Sequence, residues 1–157
     1  MNDGTALFHA NHGNLGTTGV ISATTLKEMR KLMRQQTGLN GKFINVKPSY
    51  LIVGPEQEEL AIQFMNENFY PATVGTTNTF KGSMEVIVEP RILGDKWYAA
   101  SMPSNVDTIE YAFLEGEGEF YTETKQGFDI DGMEVKVRMF FAAKAIDHRG
   151  LFYNQGS

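Results

Sequence analysis

Gly127–Asn154 reads GFDIDGMEVKVRMFFAAKAIDHRGLFYN, and its alternation decides the fold class. Asp131-Gly132 is a hairpin-turn signal. It leads into a run from Met133 to Ile146 that has strand periodicity at about twice the usual strand length. Met133, Val135, Val137, Met139 and Phe141 point one way, while Glu134, Lys136, Arg138 and Lys144 point the other. Phe140 and Ala142 interrupt the polar row, which predicts cover on that face as well. The expectation is one long strand, 133–146, exposed where it begins and packed in its middle.

Working outward, Tyr121–Lys125 is the expected partner of this strand across the turn. Three further strand candidates precede it, at Met84–Val88, Lys96–Ser101 and Thr108–Phe113, separated by Pro90, Gly94-Asp95 and Met102-Pro103-Ser104 turns. Earlier still, Phe43–Val53 reads as a strand with Pro48 in its ragged start. Gly54-Pro55 then opens a helix whose first turn holds Glu56, Glu58 and Glu59, with Leu60, Ala61, Phe64 and Met65 as its buried stripe. The first helix is expected over 23–37, where Thr25 and Glu28 have capping-box spacing and Gly38 stands at the stop. Leu26, Met29, Leu32 and Met33 form its apolar stripe; Lys27, Arg30, Lys31 and Arg34 form a basic flank. Residues 1–22 read as an irregular arm, with at most a short strand at Ala6–His9, and 70–82 as an exposed loop. Two early helices and many late strands give an α+β fold with a largely antiparallel sheet.

A chain of 157 residues can bury a sizeable core. Its formal charge of −5 argues against a dedicated nucleic-acid binder, which would carry a basic excess. Without cysteine there is no disulfide, thiolate metal site or cysteine nucleophile. No apolar run approaches a membrane span, and the N-terminus lacks a signal-peptide pattern.

Candidate chemistry is sparse. His9 and His12 are spaced for a metal pair, yet no helix is expected there and no third ligand lies nearby. Asp147-His148-Arg149 has catalytic potential, because a carboxylate can orient an imidazole. No Gly-x-Ser-x-Gly elbow supplies a nucleophile, so Asp147 and Arg149 are expected to form salt bridges at the end of the long strand. Gly116-Glu117-Gly118-Glu119 lacks the third glycine and the helix of a dinucleotide loop. Glu115, Glu117, Glu119 and Glu123 have no EF-hand spacing and read as a solvated acidic edge. Trp97 and Tyr98 read as core. The sequence therefore assigns no catalytic, cofactor-binding or metal residue, which moves the weight to a binding or structural role.

Four stretches carry a resemblance: LFHANHGNL at 7–15, TTLKEMRKLMRQQTG at 24–38, KPSYLIVGPEQEELA at 47–61 and GFDIDGMEVKVRMFFAAKAIDHRGLFYNQG at 127–156. In this order they resemble the C-terminal part of phage major capsid proteins, specifically the Mu-like prophage head subunit with the Hong Kong 97-type fold. The resemblance implies a spine helix at 23–37 braced by the long strand 133–146. It implies a peripheral-type part over 1–42 and 113–157 and an axial-type part over 43–112. A complete subunit also has an N-terminal arm and extended hairpin ahead of the spine helix, so this chain is expected to be a head subunit or its C-terminal fragment.

The implied function is structural: capsomers of pentamer or hexamer type, formed with other copies and enclosing double-stranded DNA without sequence specificity. Neither a membrane nor a small-molecule substrate is implied. The implied location is the virion, after synthesis in the bacterial host cytoplasm. Two alternatives come from the residues themselves. One is a small hydrolase using His148 and Asp147; the other is a nucleic-acid-binding module using the basic flank of helix 23–37.

Overall fold

A computed structural model describes residues 1, 3–68, 76–116, 119–127 and 132–157. The chain forms two compact units, Met1–Thr108 with Ile146–Ser157, and Ile109–Ala145.

In the first unit, helix α1 spans Ala23–Arg34 and α2 spans Glu58–Asn66, the latter entered through a 3-10 turn at Pro55–Gln57. Strands β1 (Pro48–Val53), β2 (Glu85–Val88), β3 (Trp97–Ser101) and β8 (Leu151–Asn154) make one sheet in the order β2-β1-β3-β8. β1 and β2 are parallel, as a connection carrying a helix allows; β1 with β3 and β3 with β8 are antiparallel. Alternation sends Leu51, Val53, Trp97, Ala99 and Phe152 inward, where they meet Leu26, Met29 and Met33 of α1 and Ala61, Phe64 and Met65 of α2. Full burial of one such aliphatic side chain contributes about 1.5–3 kcal/mol, so both amphipathic helices are held by packing more than by propensity.

The first helix starts where expected but is capped differently and stops sooner. Ser22 Oγ accepts Thr25 N at 3.2 Å, and Thr25 Oγ1 accepts Ser22 N at 2.9 Å, so the capping box is Ser22–Thr25. Glu28 instead accepts Thr17 N and Thr17 Oγ1. The helix ends at Arg34 rather than Thr37, because the buried Gln36 side chain turns away to donate to the His12 and Gly13 carbonyls at 2.9 and 3.1 Å. Gly38 serves the following turn, donating to Lys42 O across a Thr37–Phe43 bridge. The expected strand from Phe43 begins only at Pro48, since Asn45 sits at φ 51, in the left-handed region that breaks an extended run.

Residues 1–22 are irregular but integral. Leu15 bridges in parallel to Tyr153, Gly16 N donates to Tyr153 O, and Tyr153 N donates to Asn14 O, so this arm extends the sheet beyond β8. The approach requires Gly16: a Cβ there would collide with the Phe152 ring and sit 3.0 Å from Asn154 Nδ2.

The second unit holds β4 (Ile109–Phe113), β5 (Tyr121–Gln126), β6 (Met133–Arg138) and β7 (Phe141–Ala145). The expected long strand 133–146 is two strands with different partners: β6 pairs with β5, and β7 with β4. The break at Met139-Phe140 has a cause in loop length. Only these two residues separate β6 from β7, whereas 114–120 separate β4 from β5, so one continuous register is impossible. Gly127 N donates to Gly132 O at 2.9 Å where β5 and β6 converge; Asp131 of the expected turn lies outside the described residues, as do 70–75 of the expected loop. The expected cover is also missing, because no described residue of this unit is buried.

The expected division into 1–42 with 113–157 and 43–112 is drawn on other lines than these compact units. The sheet joins β8 from the first of those parts to β3 from the second.

Candidate functional site

The arm from Asp3 to Gly19 meets the C-terminal strand in a polar seam. Asn14 and Asn154 are fully buried. Asn14 accepts His9 N at 3.1 Å and donates to Leu7 O at 2.8 Å and to His148 O at 3.4 Å. Asn154 accepts Gly19 N and Gly156 N at 3.1 and 2.9 Å and donates to Thr17 O at 2.7 Å. A side-chain amide offers a donor and an acceptor together, which suits it to an irregular segment whose backbone finds no regular ladder.

His12 closes the other end of the seam, with its side chain 4% exposed. Nδ1 lies 3.0 Å from Leu7 O; Nε2 lies 2.7 Å from both Asp3 Oδ2 and Thr5 Oγ1. Both ring nitrogens thus face acceptors, an arrangement that favours the imidazolium. The Asp3 carboxylate first, then the Leu7 carbonyl, raise the His12 pKa above its ordinary value. Conversely, hydrogen bonds from His12 and Thr5 hold Asp3 well below the usual carboxylate range. The His148 ring stacks on His12 with centroids 3.9 Å apart and planes 11° apart. Burial, and then the neighbouring His12 charge, lower the His148 pKa, opposite in direction to the shift at His12.

This seam accounts for most of the candidate chemistry. His12 is a buried structural residue whose ring nitrogens both face acceptors, and His9 caps the short turn that carries it by accepting Asn11 N at 3.1 Å. Asp147 accepts Arg149 Nη1 and Arg149 N, both at 2.9 Å, which is the ion pair expected from the sequence. Its carboxylate is committed to residue 149, and His148 is oriented by the stack on His12. The hydrolase alternative therefore loses the carboxylate–imidazole alignment it needs. Among the described residues no three His, Asp or Glu side chains are grouped to hold a metal ion, and no helix is long and apolar enough to cross a membrane.

The basic flank of α1 is only partly available to a ligand. Arg30 lies over the Phe80 ring at 4.0 Å and donates to Ser83 Oγ, and Arg34 donates to Asn45 Oδ1 at 2.9 Å. Lys27, Lys31 and Arg34 are exposed along one stripe of the helix.

Among the described residues, the ribbon unit exposes many large apolar side chains. In β4–β7 the register aligns Ile109 with Ala145, Tyr111 with Ala143 and Phe113 with Phe141 on one face. Exposure there is 59% for Ile109, 69% for Tyr111, 37% for Phe113 and 58% for Phe141. In β5–β6 one face carries a cross-strand cation–π contact and an ion pair: Arg138 lies 4.2 Å over the Tyr121 ring, and Lys136 lies 3.3 Å from Glu123. The other face presents Met133, Val135 and Val137 beside Thr122 and Thr124. Of the acidic edge, Glu117 lies outside the described residues.

Sequence reasoning missed Asn14, Gln36 and Asn154, which hold the arm to the sheet and the end of α1. Asn and Gln ordinarily signal loops, so only three-dimensional burial marks them as structural.

A comparison with curated proteins found no match. The family model described as a phage capsid protein matches residues 1–154 of the 157. With the match running from the polar arm through both helices and the ribbon to the end of β8, the chain belongs to this phage capsid protein family.

Proposed function

We propose that the chain is a shell-forming subunit of a phage head, self-associating into capsomers that enclose double-stranded DNA. In this reading it is of the Mu-like prophage type with a Hong Kong 97-type fold, is made in the bacterial cytoplasm and ends in the virion. α1 then serves as the spine helix. The division of 1–42 with 113–157 against 43–112 becomes one of position in the shell, peripheral or axial, since the compact units are drawn elsewhere.

Beyond the family match, the observation that carries the reading is the ribbon unit Ile109–Ala145, whose apolar side chains alternate correctly for a buried face yet are exposed in the single chain. A subunit that completes its packing only in an assembly has that property. Light scattering and native mass spectrometry over a range of concentrations test it, with pentamers or hexamers expected. A strict monomer at high concentration would count against self-association.

A further inference from the structure

Charge is distributed unevenly along this chain. Residues 23–47, all of them described, hold six basic side chains and one acidic, a net +5 in a chain of −5. The acidic one, Glu28, is turned to Thr17. All other residues together hold eight basic and eighteen acidic side chains, a net −10.

The fold gathers these cations on one surface of the first unit. Lys27, Lys31 and Arg34 stand at i, i+4 and i+7 on the exposed stripe of α1. The segment after the helix folds back along its last turns: Ile44 N donates to Gln36 O, Arg34 Nη1 donates to Asn45 Oδ1, and Val46 is buried in the core. That return brings the exposed Lys42 and Lys47 beside the helix end. Among the described residues, no carboxylate is paired with Lys31, Arg34, Lys42 or Lys47. Asp107 and the Asp147–Arg149 pair share a cleft with Gly38 and Ile44, so charge is partly balanced on that side and the basic face centres on Lys31 and Arg34.

The side chains say what such a face can hold. The exposed positions of α1 are Thr24, Lys27, Lys31, Arg34 and Gln35. All five carry hydrogen-bond donors and none is apolar, whereas the centre of a protein interface is apolar and poor in charge. The apolar side chains exposed nearby, Leu39 and Phe43, lie on the following turn and not on the stripe. Lys, Arg, Thr and Gln are side chains that contact DNA phosphates. The row from Lys27 to Arg34 is about 10 Å long, the rise of about three phosphates on one strand.

We propose that this face, centred on Lys31 and Arg34 and flanked by Lys27, Lys42 and Lys47, binds the phosphate backbone of double-stranded DNA. It is then the side of the subunit turned toward the enclosed DNA, and the choice of DNA among polyanions rests on the shell reading above. Contact through phosphates alone is salt-sensitive and blind to sequence.

Fluorescence anisotropy with a short DNA duplex of arbitrary sequence tests it. Each phosphate contact adds about 0.9 to the slope of log affinity against log salt, so Lys31→Gln with Arg34→Gln should flatten that slope by about 1.8. With five contacts the parent should lose about 500-fold between 0.05 and 0.2 M salt, and the variant only about 40-fold. Arg34→Lys should keep the parent slope, since a phosphate reads the charge, although the bond to Asn45 is altered. Lys96→Gln with Lys144→Gln removes the same charge from exposed positions elsewhere and should leave the slope unchanged. Circular dichroism checks that all the variants fold.

A slope that the Lys31 and Arg34 changes leave intact, or that the control flattens equally, would overturn the proposal, as would no binding at low salt. Unchanged DNA binding with loss of self-association would overturn it too, and would assign the face to an acidic protein surface. Light scattering on the same samples separates this site from the shell reading. A parent chain that binds DNA through this face yet stays monomeric upholds the site and refutes self-association; one that assembles without binding DNA does the reverse.

Discussion

Replacing Asn154 by Ala should cost this fold far more than the removal of one amide at the C-terminal edge suggests. The side chain is fully buried and makes three hydrogen bonds: from Gly19 N at 3.1 Å, from Gly156 N at 2.9 Å and to Thr17 O at 2.7 Å. Each contributes about 1 kcal/mol net, and the stranded Gly156 N–H, whose bond is buried, adds a further ~1 kcal/mol or more. The expected loss is about 4 kcal/mol, a fall in Tm of roughly 8–16 °C for a chain of this length. Urea unfolding followed by circular dichroism, under conditions that keep the chain monomeric, measures it. Asn40→Ala is the control, because exposed Asn40 makes only a local bond to Lys42 N, and its loss should stay within about 0.5 kcal/mol. A loss at Asn154 below about 1 kcal/mol, or equal to the control, would refute the view that the polar seam fastens the arm.

Gly54→Ala should destabilise by about 1–3 kcal/mol, since its Cβ would press on the Ile92 carbonyl, and backbone yields poorly; an unchanged urea midpoint would contradict the packing described. His12 has a raised pKa in the fold, so its contribution is fully present below the unfolded value of about 6.5 and is lost as pH rises through the folded value. Asp3, held low, stays ionised through that window, while His148, held low by burial and by His12, opposes the trend. The stability gap between the parent chain and His12→Gln should therefore widen from pH 8 to pH 6, measured as urea midpoints, and a constant gap would count against the imidazolium assignment. Joining Thr108 to Ile146 by a short glycine-serine turn in place of 109–145 should leave the remaining unit folded. Thr108 O already accepts Ile146 N at 2.9 Å, and the core lies wholly outside the excised segment. Loss of cooperative thermal unfolding would show that the excised ribbon is required for folding.

Where one element buries one face against its own chain, periodicity and punctuation sufficed. α2 followed from Gly54-Pro55 and its glutamates, and β3 from an apolar run between turn signals. Local rules failed where a distant partner competed. Glu28 had the right spacing to cap α1, but Thr17 took its carboxylate and left the box to Ser22 and Thr25. Gly38 marked a plausible helix end, but Gln36 had already left the helix to reach the His12 and Gly13 carbonyls. The ion pair of Asp147 and Arg149 was legible because its partners are neighbours in sequence. The stack of His148 on His12 was not, because it joins the two ends of the chain.

The ribbon fails in a different and more useful way. Alternation along Met133–Ile146 correctly reported strand periodicity with an apolar face, which is exposed in the single chain, and the interruption at Phe140 marked the position where β6 gives way to β7. The inference that the same chain supplies the cover was an added assumption, since a pattern of side chains encodes the need for a partner but not the partner's identity. An isolated two-stranded ribbon is marginal in water, so these exposed apolar faces argue for external cover.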